Sequence, residues 1–236
     1  MCGRFILIQK LKKLEQRFEV QAPPELDFTP SYNIAPGKKS LVITSAKPDS
    51  LQAYRFGMTP FWAKKAMLLI NARAEGDRNK ENDPAYRGSR DIIRKPSFRK
   101  PIRSQRCLVL ADAFYEGSEK EKLDDPYVVY LRDKIRPFAF AGLYDTWLDK
   151  STGEEISGFS IITTVANDLL LKIPHPRSPV ILTPSQEKKW LKADTPLTDI
   201  TAMLRPYPAD KMNAYPVSTE VKNPRNDGKQ LLEARG

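Results

Sequence analysis

Short runs of aliphatic, aromatic and β-branched residues recur along the chain, and each is bounded by Gly, Pro or Asp. Such runs, about four to eight residues long between turn-forming residues, are typical of β-strands. The predicted strands are Leu41–Thr44, Leu51–Phe56, Met67–Ile70, Cys107–Ala111, Tyr127–Leu131, Phe138–Leu143, Phe159–Thr164 and Val180–Leu182. The pattern indicates a chain rich in short strands.

Helical signals are fewer and lie towards the two ends of the chain. Apolar residues recur at the spacing of one helix face over residues 11–19, with lysines between them, which predicts an amphipathic helix. Thr183-Pro184-Ser185-Gln186 has the N-cap, proline and glutamine of a helix start, and Thr195-Pro196 repeats the signal. Because strands dominate and do not alternate with helices, we predict an α+β fold: a compact β-rich domain with a mixed sheet or open barrel as its core and a few peripheral helices.

Length and charge narrow the organisation of the chain and its partners. The 236 residues lie within the range of about 200–250 that one β-rich domain reaches. No charged or Gly/Ser-rich linker divides them, so we expect one domain over residues 1–236, with about the last ten residues as a candidate flexible tail. The 39 basic and 29 acidic residues give a net charge of +10. That charge favours a polyanion as a binding partner over a role in solubility alone. Nucleic acid is the first candidate and an anionic membrane the second.

Several classes of protein are disfavoured. No window approaches the roughly 18 consecutive apolar residues of a membrane span. The apolar run after Arg4 stops at Gln9, which is too short for a secretion signal. Two cysteines do not form a disulfide framework, and with a single histidine they do not form a zinc site. We expect a cytoplasmic protein without a metal or a membrane segment, and a monomer by default.

Cys2 directly follows the initiator methionine, and so small a residue generally permits removal of Met1. Cleavage leaves two nucleophiles on one residue, an α-amine with an ordinary pKa of about 8 and a thiol with one of about 8.5. An amine condenses with an aldehyde to a Schiff base, and the adjacent thiol then closes a thiazolidine ring. The alternative is that Cys2 is only a small residue at the start of a strand.

Glu116 and His175 are candidates for proton transfer. Glu116 follows aromatic residues at the end of a long apolar run, where desolvation raises the pKa of a carboxyl group. His175, the only histidine, stands between two prolines that restrict the backbone and so aim the imidazole. The alternatives are a surface glutamate paired with Lys120 or Lys122, and a structural histidine.

A polar turn and a basic segment are candidate contacts for nucleic acid. Asn71-Ala72-Arg73 follows the run Met67–Ile70, which we expect to be buried. An amide and a guanidinium at a strand end present donors to a sugar oxygen and a phosphate. The segment Arg87–Arg106 holds eight Arg or Lys against one acid, with Phe98 among them, a composition that can follow a phosphate backbone. Ordinary turn chemistry and a solvated loop are the alternatives.

A series of short motifs follows in order from Cys2 to Asn223. The motifs are Met1-Cys2-Gly3-Arg4-Phe5, Tyr32–Gly37, Phe56–Trp62, Asn71–Glu75, Lys95–Phe98, Arg106–Leu108, Ala113–Glu116, His175–Leu182, Pro216–Ser218 and Val221–Asn223. Each is short, but in this combination and order they resemble the SOS-response-associated peptidase family, known for its SRAP domain. The resemblance covers nearly the whole chain.

The resemblance implies a β-rich domain that senses abasic sites in single-stranded DNA and forms a thiazolidine crosslink to them. By matching position, Cys2 is the crosslinking residue and Asn71 orients the opened sugar. Glu116 shuttles protons during ring opening and Schiff-base formation, and His175 hydrogen-bonds the sugar oxygen. No cofactor is implied, because the electrophile lies in the DNA and side chains supply the protons.

The resemblance also implies a set of DNA contacts. Arg4, Arg73 and Arg177 match positions that contact phosphates, while Pro36 and Trp62 match positions that line the channel beside the lesion. A stacking residue next to a missing base replaces lost stacking, worth about 1–3 kcal/mol, without demanding a sequence. A protein of this kind would act in the response to DNA damage and would join the nucleoid when bound to DNA.

Three positions depart from the family pattern. Gly117 follows the glutamate where a tryptophan is common, which predicts looser packing around Glu116. Ser178 stands where Met or Arg is expected, and the segment Gly76–Arg94 is longer and more charged than usual, which could alter the approach of DNA. None of the three removes a matched chemical group.

Two other functions use the same features. An N-terminal-nucleophile hydrolase would attack an amide with the Cys2 thiol and use the α-amine as base. A non-catalytic single-strand binder would be salt-sensitive and indifferent to the lesion. Weak lyase activity through β-elimination and release of Met1 by the Cys2 thiol are side reactions that the capture chemistry permits.

Overall fold

The computed structural model describes residues 2–117, 123–132 and 136–235. Its strands are β1 (Arg4–Leu7), β2 (Ser31–Ile34), β3 (Lys39–Thr44), β4 (Lys47–Phe56), β5 (Asn71–Arg73), β6 (Arg106–Ala111), β7 (Ala113–Glu116), β8 (Tyr127–Leu131), β9 (Phe138–Leu148), β10 (Glu155–Val165), β11 (Arg177–Pro179), β12 (Ile181–Leu182) and β13 (Met212–Pro216). Its helices are α1 (Leu11–Phe18), α2 (Pro101–Ser104), α3 (Asp168–Lys172), α4 (Pro184–Leu191) and α5 (Leu197–Ala202). Short 3-10 turns cover Asp91–Arg94, Ala209–Lys211, Thr219–Lys222 and Lys229–Leu232.

A closed five-stranded barrel forms the core. The ring runs β10-β4-β3-β6-β9 and closes where β9 pairs with β10. Because β10 is eleven residues long, it pairs with β9 and then β11 along one edge, and with β4 and then β5 along the other. The predicted α+β, β-rich fold with few peripheral helices is confirmed; its core is a closed barrel, where we predicted a mixed sheet or an open barrel.

A second sheet, in the order β13-β8-β7-β1-β2, lies against the barrel. Phe5 of β1 joins the two, because its ring lies 5.4 Å from that of Phe56 and 6.1 Å from that of Phe140, edge to face in both cases. Phe114 of β7 packs edge to face on Phe140 in the same way, at 5.7 Å. The two strands of this sheet that carry Cys2 and Glu116 at their ends are therefore fixed against the barrel.

The predicted strand Met67–Ile70 is wrong. Met67 and Leu68 are 38% and 43% exposed, and only an isolated bridge between Met58 and Leu69 pairs this segment. The Thr59 hydroxyl donates to the carbonyl of Met67 (2.7 Å) and accepts from its N–H (3.1 Å). A side chain therefore holds this loop in place, where we predicted the backbone hydrogen bonds of a paired strand. The strand begins later, and Asn71–Arg73, expected as a turn, is β5.

The helix predictions hold to within a residue or two. The helix predicted over residues 11–19 ends at Phe18, because Glu19 adopts a left-handed backbone with φ 58°. The predicted helix start at Thr183 carries a complete capping box with Gln186. No described helix is long and apolar enough to cross a membrane.

The C-terminal segment packs against the second sheet. Leu231 is fully buried, the Tyr215 hydroxyl donates to the carbonyl of Leu232 at 3.0 Å, and Val217 forms a bridge with Ala234. These contacts anchor a stretch that the sequence left as a candidate flexible tail.

Arg106 belongs to the basic segment but is 1% exposed. Its guanidinium donates to the carbonyls of Trp190 (2.7 Å), Lys192 (2.8 Å) and Ile102 (3.2 Å), and also to that of Arg103. It ties α2 and the end of α4 to the barrel, so its role is structural.

We expect Arg106→Met to destabilise the protein by about 3 kcal/mol or more, because it leaves several buried carbonyl groups without a donor. The exposed Arg99 offers a matched control, and Arg99→Met is expected to change stability by less than about 0.5 kcal/mol. Urea unfolding measures both changes. Equal losses in the two variants would contradict the structural role of Arg106.

Candidate active site

The pairing of β1 with β7 positions Cys2. The strands run antiparallel with Arg4 opposite Tyr115 and Ile6 opposite Ala113, so the same register continued past Arg4 sets Cys2 opposite Gly117. The Cys2 side chain is 1% exposed. The amino end of the chain therefore enters the interior beside the end of β7.

Asn71 contacts Cys2 directly. Its Nδ2 donates to the carbonyl of Cys2 at 3.1 Å and to that of Ile161 at 3.4 Å. Its Oδ1 is buried and accepts no hydrogen bond from the described residues. Because side chains alternate along a strand and Ala72 is fully buried, Asn71 and Arg73 lie on the other face of β5 together. An acceptor oxygen beside Cys2 is thus available to a bound molecule.

Glu116 and His175 form a buried pair, 3% and 2% exposed. His175 Nδ1 lies 2.8 Å from the carbonyl oxygen of Gly117, and Nε2 lies 3.4 Å from Glu116 Oε1. A carbonyl oxygen only accepts, so Nδ1 carries the ring proton and donates it, which leaves the Nε2 lone pair facing Glu116.

Gly117 packs tightly. A Cβ at this position would lie 2.7 Å from the carbonyl oxygen of Asp125, so only glycine lets the two backbone segments approach this closely. Backbone thus fills the space beside Gly117, while the looser packing predicted around the Glu116 side chain stays a prediction. The surface-glutamate alternative is wrong, since Glu116 is buried; Lys120 and Lys122, its suggested partners, lie outside the described residues.

The protonation states of the site follow from its burial. Burial raises the pKa of Glu116 to about 7 and lowers the pKa of His175 to about 4. At neutral pH the imidazole is uncharged and Glu116 is near half ionised, so the pair is not a full ion pair in spite of its short distance. The pKa of the Cys2 thiol is raised well above its ordinary value. Burial is the largest cause, and the charge of Glu116 is the second.

A cluster of three arginines around Glu75 adjoins this group. Arg177 Nη2 donates to Glu75 Oε2 at 2.8 Å, Arg90 Nη1 lies 3.8 Å from Glu75 Oε1, and Arg73 donates to Asn82 Oδ1 at 2.8 Å. Burial opposes the ionisation of Glu75, but the charge of Arg177 and its hydrogen bond hold the pKa of Glu75 below the ordinary value.

The arginine cluster has the properties of an anion site. Arg177 and Arg90 face the Glu75 carboxylate, and Arg73 lies close enough to Arg177 for its charge to add to burial in lowering the pKa of Arg177. Several buried guanidinium nitrogens donate no hydrogen bond to the described residues: Arg73 Nε, Arg90 Nη1, Arg177 Nε and Arg177 Nη1. Guanidinium N–H groups without acceptors match the oxygens of a phosphate. A phosphate would satisfy donors that the protein leaves buried.

The other predicted DNA contacts lie apart from these groups. Arg4 donates to Asn33 Oδ1 (3.2 Å) and to the carbonyl of Lys222 (2.9 Å), so here it holds the C-terminal segment. Pro36 is half-buried in the turn after β2, and Trp62 is 49% exposed on the loop after β4. The backbone N–H of Arg4 donates to the Cys2 sulfur, whereas within the described part of the chain no hydrogen bond or ring contact joins Pro36 or Trp62 to the Cys2 group.

Sequence reasoning missed Glu75 and Arg90 as members of the site. Arg90 lies within the basic segment, but nothing in the linear spacing distinguishes it from its neighbours. Among the described residues no group of three His, Cys, Asp or Glu side chains could hold a metal ion.

We expect Glu116→Gln to stabilise the protein above neutral pH. The carboxyl pKa rises from 4.5 to about 7 on folding, so the folded state binds the proton more tightly and wild-type stability falls as pH rises between these values. The variant gains on the order of 3 kcal/mol over wild type at about pH 8, and the gap closes below about pH 4. Urea unfolding at both pH values measures it; a gap that does not change with pH would contradict the buried carboxyl.

Comparison with known proteins places the chain in a family. The model of the SOS response associated peptidase (SRAP) family matches residues 1–224. The chain is 38% identical over 243 residues to the abasic site processing protein YoqW of Bacillus subtilis (strain 168), covering 99% of this chain and 100% of that protein. It is 27% identical over 240 residues to the abasic site processing protein YedK of Escherichia coli (strain K12), covering 99% of each.

Among solved structures, the crystal structure of a protein from Bacteroides thetaiotaomicron superposes with a TM-score of 0.81 and 30% identity, over 99% of this chain and 100% of that one. The similarity in fold and the similarity in sequence extend over the same nearly complete length. The chain therefore belongs to the SOS response associated peptidase (SRAP) family.

Proposed function

We propose that this protein senses abasic sites in single-stranded DNA and captures them covalently through the α-amine and thiol of Cys2, once Met1 has been removed. The relatives named as abasic site processing proteins support this function. The observation that carries it is the burial of Glu116, with a pKa of about 7, beside the residue that supplies both nucleophiles.

The first step joins the amine to the lesion. The ring-opened sugar presents an aldehyde, the Cys2 amine forms a C–N bond to its carbon, and a proton moves from nitrogen to oxygen to give a carbinolamine. Protonated Glu116 then donates to the departing hydroxyl group, water leaves, and a protonated imine remains beside the Glu116 carboxylate. A carboxyl group with a pKa near the working pH suits such a transfer, which contributes about 10²–10⁴-fold to a rate.

The second step closes the ring. The Cys2 thiol forms an S–C bond to the carbon of the protonated imine while the C=N π pair moves to the nitrogen, and the thiol proton passes to the Glu116 carboxylate, which restores the carboxyl group. The balance is one aldehyde and one cysteine converted to one thiazolidine and one water. Because the pKa of the thiol is raised, the sulfur stays protonated until a carboxylate accepts its proton, and the amine acts first.

His175 and Asn71 hold the reacting groups. The uncharged His175 Nε2 accepts a hydrogen bond from Glu116 when the carboxyl group is protonated, and it offers the same lone pair to the opened sugar. Asn71 Oδ1, which has no donor among the described residues, accepts from the sugar hydroxyl that ring opening releases. Both roles position the aldehyde beside the amine.

The arginine cluster supplies the affinity for DNA in this account. Arg73, Arg90 and Arg177 bind a phosphate next to the lesion, since their unpartnered N–H groups match its oxygens. Pro36 and Trp62 lie beside the missing base. A single strand meets the site more readily than a duplex, whose pairing must first be broken.

Two side activities belong to the same proposal. The imine permits β-elimination, which gives weak lyase activity. Attack of the Cys2 thiol on the carbonyl carbon of Met1 moves the methionyl group from nitrogen to sulfur, and water then cleaves the thioester to release Met1. An N-terminal-nucleophile hydrolase is the rival. A hydrolase needs a thiol whose pKa is lowered, whereas burial raises the pKa of Cys2, which favours the chemistry led by the amine.

We expect Met1-processed protein mixed with a single-stranded oligonucleotide that carries one abasic site to give a shifted, heat-stable band on a denaturing gel. The same oligonucleotide without the lesion gives none, and Cys2→Ala gives none. Cys2→Ser retains the amine but loses the stable ring, so its adduct is short-lived. A processed wild type that forms no band contradicts capture and leaves the hydrolase.

A further inference from the structure

A groove of about 730 Å³ lies between α1 and α4, against strands β3 and β6 of the barrel. Its floor includes Ile43 of β3 and Leu108 of β6, which lie opposite each other in these paired strands. Phe18 and Leu191 line the two sides. The volume falls within the range of about 300–1,000 Å³ that ligand sites occupy. We call this cavity the helix groove.

A buried ion pair fixes the two helices that form the walls of the groove. Arg17 Nη1 donates to Glu187 Oε2 at 3.0 Å, and Arg17 Nη2 donates to Glu187 Oε1 at 2.8 Å, so the pair is bidentate. Glu187 is 5% exposed, and the guanidinium carbon of Arg17 lies 4.4 Å from the centre of the Phe18 ring. The groove is thus formed before anything binds in it, which lowers the ordering cost of an occupant.

Positive charge surrounds the groove. Residues 10–19 and 184–194, which contain the two helices, hold seven Lys or Arg against four Asp or Glu, a net charge of +3. Most of these carboxylates already pair with a cation: Glu187 with Arg17, Glu19 with Lys188 and Asp194 with Lys192. Lysines therefore remain in excess on both helices, and the groove favours an anionic occupant.

The two ion pairs at the mouth of the groove are open to water. Lys188 and Glu19 are 77% and 73% exposed. Lys192 and Asp194 are 69% and 73% exposed. Ion pairs in water hold weakly, so the ammonium groups of both lysines can turn to the carboxylates of a bound molecule. Because both lysines line the groove, it presents cations and an apolar floor together.

The composition of the groove favours a peptide over nucleic acid or a membrane. Phe18 is the one aromatic ring among the described residues that line it, and Arg17 occupies a face of that ring, so a base finds no free platform on which to stack. The large hydrophobic side chains that the described chain exposes all lie elsewhere, so none protrudes here for insertion into a membrane. A concave aliphatic floor with lysines at its mouth instead matches a segment that combines a bulky apolar side chain with neighbouring carboxylates.

We propose that the helix groove binds an acidic peptide segment of a partner protein. An apolar side chain of the segment packs on Ile43 and Leu108, and its carboxylates pair with Lys188 and Lys192. None of the residues that line the groove belongs to the Cys2 group or to the arginine cluster. A partner held there leaves the candidate active site open, so the inference does not depend on the proposed function.

The test uses a fluorescein-labelled octapeptide with an amidated end, in which aspartates precede leucine and phenylalanine, and fluorescence anisotropy measures its dissociation constant. One control peptide has alanine in place of the apolar residues, and another has lysine in place of aspartate. The variant Lys188→Glu/Lys192→Glu reverses the charge at the mouth, and Ala193→Trp fills the groove without a change in charge. The control Lys150→Glu/Lys229→Glu makes the same charge change at exposed positions elsewhere.

We expect wild type to bind the acidic peptide with a dissociation constant on the order of 10–100 μM, and each groove variant to bind it at least about tenfold more weakly. The charge-matched control stays within about twofold of wild type, and wild type binds both control peptides at least about tenfold more weakly. Wild-type affinity in Ala193→Trp would overturn the proposal. So would equal losses in the two charge-reversal variants, which indicate a general charge effect.

Further arms identify other occupants. Intact single-stranded DNA that displaces the peptide, and that itself binds both groove variants more weakly than the control, would assign the groove to nucleic acid and overturn the proposal. Vesicles with phosphatidylserine that bind wild type and the control but neither groove variant would assign it to a membrane and overturn the proposal as well. Both groove variants are expected to capture the abasic site as wild type does. If wild type itself captures none, the proposed function fails, and the peptide measurement still decides the groove.

Discussion

The burial of one carboxyl group beside an uncharged imidazole is the constraint on which the rest of the site depends. Glu116 lies at the end of β7, where Phe114 packs into the barrel and Tyr115 faces the second hydrophobic cluster. Alternation along the strand returns Glu116 to the barrel side. The packing that stabilises β7 therefore places a carboxyl group where water cannot solvate it, which raises its pKa and costs stability above that pKa.

A second constraint divides the site into a neutral end and a cationic end. In each of two segments, a residue proposed for chemistry stands two positions before one proposed for phosphate binding. The pairs are Asn71 with Arg73 and His175 with Arg177. The chemical end keeps an uncharged histidine, so the carboxyl group can exchange protons there. At the arginine end, burial lowers the pKa of Arg177, and the Glu75 carboxylate 2.8 Å away opposes that shift and favours the charged guanidinium. Binding and chemistry are thus built into the same two segments, and the charge of Arg177 adds to burial in lowering the pKa of His175, which keeps it uncharged.

The sequence predicts the general fold well because strand composition and helix caps are local signals. The capping box at Thr183 confirms this, whereas the left-handed Glu19 that ends α1 had no signal in the sequence. The apolar run Met67–Ile70 was misassigned because composition does not reveal whether a partner strand is present. Here the barrel edge offers only a bridge at Leu69, and the apolar side chains remain exposed.

The basic segment shows what local signals cannot separate. Its cations look alike in sequence, yet Arg106 is buried in structural hydrogen bonds, Arg90 faces Glu75, and Arg99 and Lys100 line an exposed cleft. The difference lies in contacts with residues far along the chain. Cys2 and Glu116 could be singled out because their chemistry or position is unusual, whereas the distance between His175 and Glu116 needed the fold.

The pH dependence of single-turnover capture tests the central claim most directly. The neutral α-amine increases with pH through about 8, while protonated Glu116 decreases through about 7. The wild-type rate therefore passes through a maximum in that range, and Glu116→Gln is at least about 100-fold slower, with a rate that only rises with pH. A Glu116→Gln protein with the rate and the pH profile of wild type would contradict the account.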